Sequence, residues 1–191
     1  MPIGDHAEAK KPGMLRTIID VLVLLAMVLL LSWGLRTFVF QAYEIPSESM
    51  EPTIHGNAQV HDMVFSEKIT YYTRSPQYKD IVTFTDPELP SRILIKRVIA
   101  VGGQTVDLQD GKVVVDGVAL DEPYVHGSQS FELPGSSLSF PYTVPEGCLW
   151  VMGDNREWSQ DSRWFGAIEE SSVTGRAVLV YWPVSDIGFL E

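Results

Sequence analysis

The sequence predicts a mostly β domain behind one N-terminal transmembrane helix. Three observations carry that prediction: one long apolar run near the start, short β-branched runs separated by turn signals, and a single cysteine in 191 residues. The run from Ile18 to Phe40, IIDVLVLLAMVLLLSWGLRTFVF, is long enough to cross a hydrocarbon core of roughly 30 Å. Its charges, Asp20 and Arg36, stand near its ends, where they cost least. A cleavable leader has a shorter apolar core followed by a small-x-small site; here Arg36, Phe38 and Phe40 follow, so the helix is expected to stay as an anchor. Lys10, Lys11 and Arg16 precede it, whereas Arg36 stands alone at its far end. The positive-inside rule then predicts a cytoplasmic tail (1–17), a single membrane pass (18–40) and an extracytoplasmic domain (41–191), with the lipid bilayer as a partner.

Beyond the helix, strand-like runs occupy 63–69, 80–85, 92–101, 105–109, 112–117, 148–153 and 176–183. Asp110-Gly111 is a hairpin signal joining two of them, and Asp116-Gly117 closes the next. Residues 121–147, rich in Gly, Ser and Pro, have weaker patterning, and about 104–147 is expected to form a smaller inserted, loop-rich subdomain. From Gln41 onward 22 acidic residues face 10 basic ones, a balance that argues against nucleic acid as a partner. Cys148, alone, excludes an internal disulfide and is expected to be a small buried hydrophobe, so stability must come from packing.

EIPSESMEPTI, residues 44–54, is too polar for a core strand and holds two prolines. Pro46 pushes Ile45 toward extended backbone, and Pro52 removes an N–H that a continuing sheet would use. If residues 45–49 are extended, Ser47 and Ser49 point to the same side. Acyl transfer needs a nucleophile and a donor aimed at the developing oxyanion, and two converging hydroxyls with a backbone N–H supply both; a plain Ser/Pro turn is the alternative. A serine also needs a base. His6 falls on the cytoplasmic side, His55, His61 and His126 lie in loop-like surroundings, and no G-x-S-x-G elbow exists, so a histidine triad has no support. ILIKRVIA, 93–100, offers Lys96: in a strand, Leu94, Lys96 and Val98 share one face, and Ile93, Ile95, Arg97 and Ile99 the other. Burial there lowers a lysine pKa and yields a neutral amine able to deprotonate a serine; the alternative is an edge-strand lysine that snorkels to water. A third cluster, GDNREWSQDSRWFG at 153–166, has the short polar side chains and arginines of a rigid, partly buried loop, and Ser159 could orient a neutral lysine.

These segments together resemble the bacterial type I signal peptidases, membrane-bound serine proteases with a Ser/Lys dyad. IPSESMEPTI, KDIVTFTDP (79–87), ILIKRVIA and GDNREWSQDSRWFG look like the family's boxes in family order behind an anchor. The resemblance implies a signal-peptidase-like β-barrel or sheet domain that removes N-terminal signal peptides after a small-x-small site. It implies Ser49 as nucleophile, Lys96 as general base, Ser47 with the Ser49 N–H as oxyanion hole, and Ser159 as the lysine-orienting hydroxyl. Asp161 and Arg163 match a supporting salt bridge, with Asp154, Asn155, Arg156 and Arg97 in the same scaffold. Ile45, Pro46, Met50 and Ile95 fall where the family lines shallow apolar pockets. No metal or cofactor is implied; exported preproteins and the secretion translocon are the implied partners. Three departures stand out: Glu157-Trp158 in the last box, RVIAVGGQ after the lysine, and IHGNAQVH, a longer connection between Thr53 and Asp62. A self-cleaving repressor of the SOS type shares the dyad but should carry a DNA-binding motif and no anchor. A catalytically silent membrane-anchored β module explains anchor and fold but not Ser49, Lys96 and Ser159 together.

Overall fold

The structure, a computed structural model, describes residues 13–57, 59–127 and 129–190. The chain falls into two compact units, Met1–Thr37 and Phe38–Glu191. The first holds all but the last residue of helix α1, Met14–Phe38, which is long and apolar enough to cross a membrane and has no buried residue. Its apolar side chains cover every side, the pattern of a lipid-facing helix and not of an amphipathic one. The helix stops two residues short of the predicted Phe40, because FQAYE turns extended and pairs as a strand.

The second unit is antiparallel throughout. In chain order its strands are β1 (Phe40–Glu44), β2 (Gly56–Asn57), β3 (Val60–His61), β4 (Met63–Glu67), β5 (Ile81–Thr85), β6 (Ile93–Val101), β7 (Thr105–Gln109) and β8 (Lys112–Val115). They continue with β9 (Val118–Ala119), β10 (Tyr142–Thr143), β11 (Cys148–Met152), β12 (Ile168–Glu169), β13 (Val173–Trp182) and β14 (Gly188–Phe189), with a one-turn helix α2 (Ser162–Phe165) before β12. The main sheet runs β1-β4-β13-β5-β6-β11-β12, with β14 beside β13. Repeated register shifts along β13 and one between β6 and β11 bend this sheet, since an extra residue on one strand raises the local twist. In β6 the extra residue is Ile99, so Ile99 and Ala100 both pack with Trp150, while Val98 packs with Val82 and Val151.

The smaller sheet, β10-β7-β8-β9, lies within the region predicted as an insertion. Asp110 and Gly111 (φ 51° and 77°) and Asp116 and Gly117 (φ 51° and 79°) make its two hairpin turns, the left-handed conformations that Asp-Gly turns require. Cys148 is free and only partly buried, against the packing of this region. The described residues of 121–141 contain no strand, yet they are fastened: Glu122 forms an ion pair with Arg156, Ser130 Oγ accepts from the same guanidinium, and the Phe131 carbonyl accepts from Arg163 at 3.2 Å.

Candidate active site

Pro46 and the extended backbone of Ser47 (φ −135°, ψ 147°) follow the pattern expected from the two prolines, but the extension stops there. Glu48–Met50 form a single 3₁₀ turn, which corrects the expectation of an extended 45–49. The hydroxyls converge all the same, with Ser47 Oγ and Ser49 Oγ 3.3 Å apart. The turn also swings Met50 inward, where it is fully buried among Ile45, Ile54, Ile81 and Ile95. Asn155 clamps the turn from outside, its N–H donating to the Ser49 carbonyl and its Nδ2 to the Glu48 carbonyl, both at 3.1 Å.

Lys96 sits in β6, paired with Val82 of β5 on one side and one residue before the pairing with β11 begins at Arg97, and is 3% exposed. Its Nζ lies 2.6 Å from Ser49 Oγ and donates to the Ile95 carbonyl at 2.9 Å. Burial pulls its pKa down from 10.5 to about 8, against the pull of Asp161 and Asp154, with Arg92 and Arg163 adding to the depression. Near neutrality a useful share of the amine is therefore unprotonated and able to accept a proton.

Two arginine forks hold the surroundings. Arg97 grips Asp154 through Nε (2.9 Å) and Nη2 (2.7 Å), and Thr53 Oγ1 donates to the same carboxylate at 2.6 Å, tying the end of the serine segment to the third cluster. Arg163 grips Asp161 through two bonds of 2.9 Å, and all four of these arginine and aspartate side chains are buried. Burial alone would raise the Asp161 pKa, but the Arg163 fork wins and holds it below the usual carboxylate range. Asp161 also caps α2 and accepts from the Gly153 N–H. Arg156 donates to the Gly153 carbonyl at 3.0 Å, so this loop is anchored from three sides.

Ser159 is buried beside this network, and its Oγ forms no hydrogen bond with Lys96. It lies on the side of Asp161, where its hydroxyl helps keep that carboxylate charged. Gly153 explains the tightness: a Cβ there would come within 2.3 Å of both Ser159 Oγ and the Ser49 carbonyl oxygen. Gly56, in β2, has the same role on the other side, where a Cβ would lie 2.1 Å from the Ser47 carbonyl oxygen. Neither close approach was legible in the sequence, since glycine spacing says nothing of a neighbour that is distant along the chain.

Two cavities of about 210 Å³ each meet at Ser47 and Lys96. The first is lined by Ile45, Pro46 and Ile95, as expected, and also by Tyr43, Ile93 and Leu94. The second holds Ser49, Leu94, Trp158 and Phe165, and Arg92, paired with Asp86, borders both. β5 pairs with residues 93–97 on one edge of β6, while β11 pairs only from Arg97 onward on the other. Among the described residues the edge of Ile93–Lys96 that faces the serine segment thus has no strand partner, and an extended peptide can pair there.

A sequence profile described as signal peptidase, peptidase S26, matches residues 18–182. The chain belongs to that signal peptidase family. It is 34% identical to a signal peptidase I of Leptolyngbya laminosa, over 99% of this chain and 89% of the relative. It is 35% identical to a signal peptidase I of Mycobacterium tuberculosis, over 98% and 82%. A crystal structure of a signal peptidase I from Enterococcus faecalis is 32% identical, with a TM-score of 0.48 over 54% of this chain and 97% of that one. Two of the three departures of this sequence have clear places in the structure. Glu157 and Trp158 are exposed, and the loop is held by backbone and arginine bonds that do not involve their side chains. The long connection after Thr53 forms the β2–β3 hairpin, which puts Gly56 behind Ser47.

Proposed function

We propose that this signal peptidase cleaves the signal peptides of exported preproteins with a Ser49/Lys96 dyad at the outer face of the cell membrane, its N-terminus cytoplasmic. The 2.6 Å contact between Ser49 Oγ and a buried Lys96 whose pKa is depressed to about 8 carries the reading. Neutral Lys96 takes the Ser49 proton as the oxygen attacks the scissile carbonyl. The Ser47 hydroxyl and the Ser49 N–H stabilise the oxyanion. The lysine ammonium then gives its proton to the departing amine; neutral again, Lys96 deprotonates a water that attacks the acyl carbonyl, and returns the proton to Ser49 Oγ as the acyl–oxygen bond breaks. Ser159 keeps the lysine in place through the packed group that it shares with Gly153 and Asp161.

The substrate lies extended along the unpaired edge of Ile93–Lys96, with its backbone paired and its small side chains at −1 and −3 in the cavity of Ile45, Pro46 and Ile95. Arg97–Asp154 and Asp161–Arg163 hold the base and the turn, with Asn155 and Arg156 completing the support. The α1 anchor raises the local concentration of substrates already embedded in the bilayer or leaving the translocon. The test is cleavage of a fluorogenic peptide with Ala at −3 and −1 by the full-length protein in detergent, beside Ser49→Ala and Lys96→Ala. Loss in both variants with the fold retained supports the dyad; turnover by either one ends it.

A further inference from the structure

We propose that His55, Asp62 and Asp186 form a binding site for a divalent transition metal, with Zn²⁺ as the best fit. His55 and Asp62 flank the β2–β3 pair, one just after the serine segment and the other just before β4, and Asp186 comes from the turn Val184–Asp186 after β13. One ligand atom from each lies within 4.8 Å of the others. His55 Nδ1 is 3.4 Å from Asp62 Oδ2 and 3.7 Å from Asp186 Oδ2. Metal–ligand bonds of about 2.0–2.2 Å in tetrahedral geometry set ligand atoms roughly 3.3–3.6 Å apart, so these spacings leave room for such an ion.

The polar atoms themselves point to a ligand. Asp62 is 1% exposed; its Oδ2 accepts the His55 backbone N–H at 2.7 Å, but its Oδ1 has no hydrogen-bond partner. His55 Nδ1 is likewise shielded from solvent and has no hydrogen-bond partner. Such groups are normally satisfied, and a cation between His55 Nδ1 and the Asp62 and Asp186 carboxylates would give the imidazole nitrogen its missing partner and compensate the buried Asp62 charge. An imidazole nitrogen with two carboxylates selects zinc and its transition-metal neighbours over Mg²⁺ or Ca²⁺, which prefer oxygen alone. The two carboxylates also match the charge of the ion, and His55 is exposed enough for it to enter.

The ion acts as a staple. The Asp62 carbonyl accepts from Ile45 N–H and the His55 carbonyl from Asp62 N–H, both at 2.9 Å, so the site is wired to the strand end that leads into the serine turn. Gly56, which backs Ser47, is the residue after His55. Asp186 adds the C-terminal turn, which the structure otherwise holds through β14 on β13.

The experiment uses full-length protein in detergent, stripped with a chelator and dialysed, then titrated with Zn²⁺ alone and separately with Co²⁺. His55→Ala and Asp186→Asn are the variants, because both leave the bond between the His55 backbone N–H and buried Asp62 intact. The expected result is one equivalent of metal, visible Co²⁺ bands of four-coordinate intensity, and a Tm rise of roughly 5–10 °C at a hundredfold excess over Kd, all lost in both variants. Absence of binding, or binding and a Tm rise that survive in either variant, overturns the assignment. These readouts do not depend on cleavage, so they stand apart from the dyad.

Discussion

Gly56→Ala tests how closely the inserted hairpin is coupled to the chemistry. The new methyl carbon would lie 2.1 Å from the Ser47 carbonyl oxygen and 2.7 Å from its N and C atoms, all of them backbone. An ordinary contact needs about 3.4 Å, so hairpin and serine segment must part by on the order of 1 Å. Ser47 cannot follow freely, because Ser49 and Glu48 are pinned by Asn155 and Met50 is locked in the core. The Ser47 hydroxyl therefore leaves its position 3.3 Å from Ser49 Oγ. A misplacement of about 1 Å at a reacting group costs on the order of 10²-fold in rate. We predict a kcat loss of that size with KM nearly unchanged, read in the fluorogenic peptide assay, with Tm measured in parallel to show that the fold persists. A Gly56→Ala protein with kcat within twofold of wild type would refute the coupling.

Other predictions follow from the same geometry. Gly153→Ala drives a methyl into the Ser49 carbonyl and Ser159 Oγ and should lower kcat at least as far; a wild-type rate would contradict the tight packing there. The rate should rise with pH through about 8 as Lys96 loses its proton, and a profile flat from pH 6 to 10 would remove it as the base. Burial costs Lys96 its charge preference between about 8 and 10.5, where the unfolded chain holds the extra proton, so its penalty is full below pH 8 and fades toward 10.5. Lys96→Met should thus be more stable than wild type at pH 7, by up to roughly 3 kcal/mol, with the gap closing by pH 10.5 in denaturant titrations. Arg97→Met strands the buried Asp154 carboxylate, and a loss of about 3–5 kcal/mol is expected by urea unfolding; a loss below 1 kcal/mol would mean the pair is not the brace described.

The sequence was most informative where pattern and local chemistry agree. β5, β6 and β7 came out within a residue or so of their runs: β-branched residues fill β5 and most of β6, which are buried on both faces, while TVDLQ in β7 alternates apolar and polar. Asp110-Gly111 and Asp116-Gly117 gave the hairpins because only residues tolerant of positive φ close them. β1 was hidden: FVFQAYE continues the apolar composition of the helix, and only its pairing with β4 separates the two. The convergence of Ser47 and Ser49 was legible, but the period-two reasoning behind it fails at Glu48, where the 3₁₀ turn begins. Thr53, Gly56 and Gly153 act through partners distant in the chain, and no local pattern marks such contacts. Residues 121–141 lack periodicity for the reason that they are structured by Arg156 and Arg163 and not by a ladder.

The most direct test of the central claim is to quench the full-length protein with acid during turnover of a peptide ester with Ala at −3 and −1, digest it, and locate the acyl group by mass spectrometry. The account predicts one adduct, on Ser49, absent from Ser49→Ala and from Lys96→Ala. An adduct on any other residue, or steady turnover in which Ser49 is never acylated, would contradict it.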